Sequence, residues 1–220
     1  MTDWTLTGAE LATAVGTLVL GAATFASVRS ANRAARTAER SLLEGLRPLV
    51  VASRLQDPPE KISFVDQHWV RVEGGHGLIE ATDDVVYLAI ALRNVGRGMA
   101  VLDGWFAARG ALVDLGPDHA PVGDFRRLTR DLYIPPGDLG FWQGAVRDPS
   151  EPLFEELKLA EKAGEPISVE LLYGDQEGGQ RAISRFSLLP HDADGKQIWL
   201  AVVSRHWHLD RRPPRRDNRK

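Results

Sequence analysis

Cysteine is absent from all 220 residues. No disulfide can staple this fold and no thiolate can act as nucleophile or metal ligand, so a zinc site would have to use histidines and carboxylates. That absence suits a reducing cytoplasm. Lysine is nearly as scarce, five residues against 22 arginines, and no Lys or Arg precedes Arg29. A cleaved secretory signal carries its positive charge ahead of the apolar run, so the charge order here argues against one. Catalytic signatures are missing too. There is no Gly-x-Ser-x-Gly, Gly96-x-Gly98 lacks the third glycine of a dinucleotide turn, and the Gly174–Gly179 loop ends without the Lys-Ser/Thr pair of a phosphate loop. Asp83-Asp84 falls beside a turn and Glu155-Glu156 on the solvent side of a short helix, which makes neither an acid–base pair. No catalytic residue is assigned and no cofactor is expected.

What the chain does have is one long uncharged run. Leu11–Val28 reads LATAVGTLVLGAATFASV, 18 residues without an ionisable group. At about 1.5 Å per residue it spans ~27 Å as a helix, close to the ~30 Å hydrocarbon core of a bilayer. We read residues 11–28 as a transmembrane helix behind a short external N-terminus, 1–10. Thr13, Thr17, Thr24 and Ser27 dilute its hydrophobicity, but their hydroxyls can bond carbonyls one turn back. Thr13, Gly16, Thr17 and Gly21 offer a small-residue face on which two copies could pair as a homodimer.

Arg29, Arg33, Arg36 and Arg40 follow at spacings of 4, 3 and 4. On a helix continuing over 29–47 they form one stripe, suited to anionic headgroups at about 1 kcal/mol per arginine near the surface. Positive charge after the run puts the N-terminus outside and the rest on the cytoplasmic side of the inner or plasma membrane. Gly45 and Pro48 should stop the helix. Beyond it, residues 48–210 hold 16 bases against 25 acids, and the tail 211–220 holds six bases against one acid and no apolar side chain. An acidic body between basic ends is not the footprint of a nucleic-acid-binding domain. The tail is expected to be extended or disordered.

From Pro48 the periodicity changes to that of strands. Pro48–Arg54, a short hairpin over Ile62–Val65 and His68–Val72, Val85–Arg93, Met99–Arg109, Leu139–Ala145, Ile167–Tyr173, Arg181–Leu189 and Gln197–Leu209 are the expected strands. Val85–Arg93 is apolar on both faces, so it should be central and covered on both sides. Asn94 to Gly98 should turn the chain through positive φ and return Met99–Arg109 as its antiparallel neighbour. Gly110–Pro136 reads as a long irregular stretch. A short helix follows, with Ser150 as N-cap, Pro152 in the first turn, Gly164 past the end, and Leu153, Leu157 and Ala160 on its inner face. The expected fold is therefore an N-terminal transmembrane helix continuing into a basic helix, then an antiparallel β-sandwich of immunoglobulin-like type over 48–210.

Arg47-Pro48 opening the first strand and Leu92-Arg-Asn-Val-Gly96-x-Gly98 after a central strand, behind a single apolar helix, carry a resemblance. The chain resembles bacterial, actinobacterial-like, single-pass membrane-anchored proteins of uncharacterised function with a cytoplasmic immunoglobulin-like β domain. The resemblance implies architecture and brings no catalytic residues with it.

Two candidate sites remain. Arg205-His-Trp-His-Leu-Asp210 places His206 and His208 on one strand face, a spacing that can present two imidazoles to one metal. Arg126, Arg127, Arg130 and Tyr133, with Trp207, combine the residue types that dominate protein interfaces. The main expectation is a non-enzymatic interaction or scaffold module of the cytoplasmic membrane face, with a protein partner. The alternatives are a membrane-tethered metal-dependent hydrolase using His206 and His208, and nucleic-acid binding by the basic tail.

Overall fold

The structure is a computed structural model that describes residues 8–110 and 116–210. The expectations for the first residues of the N-terminus and for the tail 211–220 therefore lie outside the described residues. The chain falls into two units, 1–45 and 46–220.

The first unit is α1, Gly8–Gly45, one unbroken helix of 38 residues. Its Ala12–Glu39 portion is long and apolar enough to cross a membrane, and none of that stretch is buried. Leu18, Leu20 and Phe25, all within the uncharged run 11–28, are exposed. By length and composition it is a candidate membrane-spanning helix. Two of the hydroxyls bond one turn back as expected: Thr17 donates to Thr13 O and Thr24 to Leu20 O, each at 2.8 Å. The helix ends at Gly45, ahead of Pro48.

The second unit is mainly β. Its strands are β1 (Val50–Ala52), β2 (Glu60–Ser63), β3 (Trp69–Val72), β4 (His76–Ala81), β5 (Val86–Asn94), β6 (Ala100–Arg109), β7 (Arg126–Ile134), β8 (Leu139–Val146), β9 (Ile167–Gly174), β10 (Ala182–Ala193) and β11 (Lys196–His208). One helix, α2 (Pro152–Ala163), separates β8 from β9. Nine strands join in a single antiparallel sheet that runs β8, β5, β4, β11, β10, β9, β6, β7, with β1 sharing the edge of β5 that β4 also uses. The remaining hairpin, β2–β3, stands apart. The long sheet curls until opposite walls face each other. Trp105 of β6 and Trp142 of β8 meet edge-to-face inside it, ring centroids 5.4 Å apart. Hydrogen bonding thus links the strands into one curled antiparallel sheet, where separate stacked sheets were expected.

β5 behaves as its sequence predicts. Val86, Leu88, Ile90 and Leu92 enter the main core, and Tyr87, Ala89 and Ala91 pack under Ile62, Phe64, Val70 and Val72 of the β2–β3 hairpin. Its neighbour is not β6, however. β6 pairs with β7 and β9, while β5 is flanked by β1, β4 and β8. The reason is the corner at Asn94. Its fully buried amide accepts from Leu49 and Gly96 N–H and donates to Gly98 O and Ile134 O, so the chain is tied down and sent to the other wall. Gly96 and Gly98 do not have positive φ. They are glycines because residues 46–49 lie so close that a Cβ would strike Arg47 O or Leu46 O.

Two further expectations are corrected. Part of the stretch read as irregular, Arg126–Ile134, is a strand at the end of the sheet. α2 is capped by Glu151 without a side-chain bond, because Ser150 turns back to the Asp148 carboxylate at 2.7 Å. Gly164 closes the helix in the left-handed conformation, φ 64°, and Phe154, Leu157 and Ala160 are its buried face.

Candidate functional site

The histidine pair lies where β11 meets β10 and β1. His206 sits opposite Ser184 in register. Its Nδ1 lies 3.0 Å from Ser184 Oγ and 3.3 Å from Tyr173 Oη, and Ser184 donates to Val50 O at 3.0 Å. Tyr173 in turn accepts from Val50 N–H at 3.2 Å. Ser184 and Tyr173 are fully buried, so the serine hydroxyl of this pair faces the core, while His206 is half-buried. Burial, with His208 and Arg47 adding repulsion, pushes His206 down to about 4, so its imidazole is neutral near pH 7. Burial likewise pushes the Tyr173 phenol up to about 12.

His208 is turned edge-on to His206, ring centroids 4.6 Å apart, and its Nδ1 lies 3.2 Å from the Arg47 guanidinium. Arg47 also makes a two-pronged pair with Asp210, at 2.9 and 2.5 Å, which lowers the Asp210 pKa. The Arg47 guanidinium thus stands beside both imidazoles. Among the described residues no group of three or more His, Asp or Glu side chains converges. What the cluster does is clamp the start of the domain to the end of its last strand.

Trp207 points to the opposite face of β11. The Arg185 guanidinium lies over its ring at 5.0 Å, Arg205 lies at 5.9 Å, and His119 meets it edge-on. Arg185 is the residue that the sequence did not single out. It pairs with Glu170 across β10 and β9, both only 2% exposed, and donates to Gly116 O and Asp118 O at 2.9 and 2.5 Å. Glu170 also accepts from Ala120 N–H at 2.9 Å. The pair therefore pins residues 116–120 over the outer face of the sheet. A signal for it did exist: ISVELLYG and AISRFSLL are two apolar strands with one lone charge each, of opposite sign.

Arg126, Arg127, Arg130 and Tyr133 all lie on β7, which pairs with β6 on one side only. Arg126 is paired with Glu151 and lies over the Trp105 ring at 5.4 Å. Tyr133 is exposed and donates to Asp131. Gln143 of β8, with its amide oriented to suit its neighbours, donates to Ser63 O at 3.1 Å and accepts from Arg130 at 3.2 Å. The side chain of Arg127 is exposed and has no hydrogen-bond or ionic partner among the described residues. Between β7 and β8 lies a cleft of about 260 Å³, floored by Trp105 and flanked by Arg126, Arg127 and Arg147. Trp207 belongs to a different wall, so the structure does not bring it to the β7 arginines.

On α1, Arg29, Arg33 and Arg36 are exposed, while the side chain of Arg40 is outside the described residues. Around Gly16 and Gly21 a Cβ would meet nothing within 4 Å.

No family model matches this chain, and no curated protein matches it. Among solved structures, one match is titled as the crystal structure of a protein from Archaeoglobus fulgidus, with 10% identity, a TM-score of 0.24, and coverage of 60% of this chain and 92% of that one.

Proposed function

We propose that the chain is a membrane-anchored, non-enzymatic interaction module whose β domain stands on the cytoplasmic face of the inner or plasma membrane. The observation that carries this reading is α1: an apolar helix with no buried face, followed by the exposed arginines 29, 33 and 36. That charge order favours an external N-terminus and a stripe lying along anionic lipid. The open surfaces at Gly16 and Gly21 leave room for a second copy along the Thr13–Gly21 face. In the domain, the side chains that resemble chemistry are used internally, whereas the β7 edge keeps its arginines at the surface, where a protein partner can meet them. Two walls facing each other over one core, with Trp105 against Trp142, support the immunoglobulin-like, sandwich-like reading of the domain.

Reporter fusions at each end test the topology: the C-terminal fusion should report as cytoplasmic, and an external C-terminus overturns the placement. Photo-crosslinking of the full-length chain in native membranes tests the module, with a discrete protein adduct as the expected result. Stoichiometric metal in the purified chain, lost in a His206→Ala/His208→Ala variant, would favour the hydrolase instead.

A further inference from the structure

β7 and β8 follow one another in the chain, joined only by residues 135–138. Antiparallel strands so joined ordinarily zip into a hairpin. Here they share no backbone hydrogen bond among the described residues. Near the turn they touch: a Cβ on Gly140 would lie 2.8 Å from Ile134. Further along they splay apart, and the cleft opens between residues 126–129 and 143–147. β7 also leaves its register with β6 there, Leu102 facing Leu132 but Gly104 facing Arg127, so residues 128–131 bulge opposite Asp103 alone.

Two walls of the cleft are therefore the two free ends of the sheet, and Phe64 and Val65 of the β2–β3 turn line it as well. β7 gives its other edge to β6 and β8 gives its other edge to β5. A free edge is a row of N–H and C=O groups that a further strand can complete. A peptide carries N–H donors and C=O acceptors along its backbone at the spacing of a strand, which a nucleic acid or a lipid headgroup does not. The rim is basic within a domain that carries 25 acids against 16 bases over 48–210. Arg126 and Arg147 hold Glu151 and Asp66, Arg130 leans on Gln143, and Arg127 is left to a ligand. A guanidinium takes a carboxylate by two parallel hydrogen bonds.

We infer that the seam between β7 and β8 binds an extended, acidic peptide segment of a protein partner, which adds as a strand and bridges the two ends of the sheet. The inference rests on the interaction-module reading and names the place and the class of partner.

The probe is a labelled (Glu-Val)4 peptide added to the full-length chain in phosphatidylcholine nanodiscs. (Lys-Val)4 and (Glu-Pro)4 are the comparators, one reversing the charge and one removing backbone donors. The expected result is saturable binding of (Glu-Val)4, at least about tenfold tighter than either comparator. It should fall by about tenfold in Arg127→Glu, an exposed position where the fold should tolerate the change, with Arg127→Lys between the two. Bound peptide should slow amide exchange in 126–129 and 143–147. Equal binding of (Glu-Pro)4, unchanged binding by Arg127→Glu, or protection confined to other strands overturns the inference. Photo-crosslinking in native membranes separates its failure from that of the wider reading. A protein adduct mapped away from the seam removes the seam and leaves the module, whereas no adduct and no peptide binding remove both.

Discussion

Arg185 and Arg127 sit in the same curled sheet and have opposite fates. Arg185 lies on the outer face of β10, 2% exposed, with Glu170, two loop carbonyls and the Trp207 ring around it. Arg127 lies on β7 at the end of the sheet, exposed, with no such partner for its side chain among the described residues. Burying a guanidinium costs several kcal/mol unless hydrogen bonds and an opposite charge replace the lost water, so Arg185 persists only because its surroundings satisfy it. At an edge the same side chain stays hydrated and selects by charge which strands can pair there. Arginine content therefore says little about function here, and the number of partners each one has already used says more.

The contrast breaks most severely at Arg185. Arg185→Met leaves Glu170 buried without its cation and frees residues 116–120, so chemical denaturation of the full chain should show a loss of about 3–5 kcal/mol. Adding Glu170→Leu should restore part of that, because the orphan charge goes while the loop carbonyls still lack their donor. No recovery in the double variant would mean that the pair contributes through the loop alone. A smaller effect is expected at Gly98→Ala, where the new methyl would strike Leu46 O at the corner tied by Asn94, costing about 2–3 kcal/mol in the same measurement.

How far these contrasts could be read in the sequence varies by element. Val86–Asn94 announced itself because its alternate residues are apolar on both faces, and a strand covered twice needs nothing else. Its partner could not be read, since the return of the chain from Asn94 depends on four hydrogen bonds to residues as distant as Ile134. β7 was hidden by its own composition. RRLTRDLYI alternates only weakly, and its bulge opposite Asp103 breaks the period that would mark a strand. The cluster ending in Asp210 stood out for its histidines, yet what they do depends on Arg47, 161 residues before His208. Side-chain pattern exposes local burial, and long-range register decides which polar groups are consumed.

A titration sharpens the same comparison on the core side. His206 is held near pKa 4 in the folded chain, against about 6.5 when unfolded, so unfolding takes up a proton between those values. Its stabilising contribution is complete above pH 6.5 and is lost as the pH falls towards 4, by about 1–2 kcal/mol after allowance for partial exposure. His206→Gln should flatten the stability profile in that window. Asp66 acts in a separate one: burial alone raises its pKa, but hydrogen bonds from Tyr87 and Arg147 bring it down to about 2, so its contribution is lost only below about pH 3.8. A profile with a single acid transition below pH 4 would show that His206 titrates as a solvated imidazole.

The smallest expected effect on stability is at the seam, and its smallness is the point. Arg127→Glu changes a charge that no described residue pairs with, so unfolding free energy should move by less than about 0.5 kcal/mol. Crosslinking to a partner through β7 should nonetheless fall sharply, since a carboxylate on the rim repels an acidic strand where a guanidinium grips it. A stability loss comparable with that of Arg185→Met would instead make Arg127 a part of the fold, and β7 would then be a closed edge of the sheet with its arginines already used.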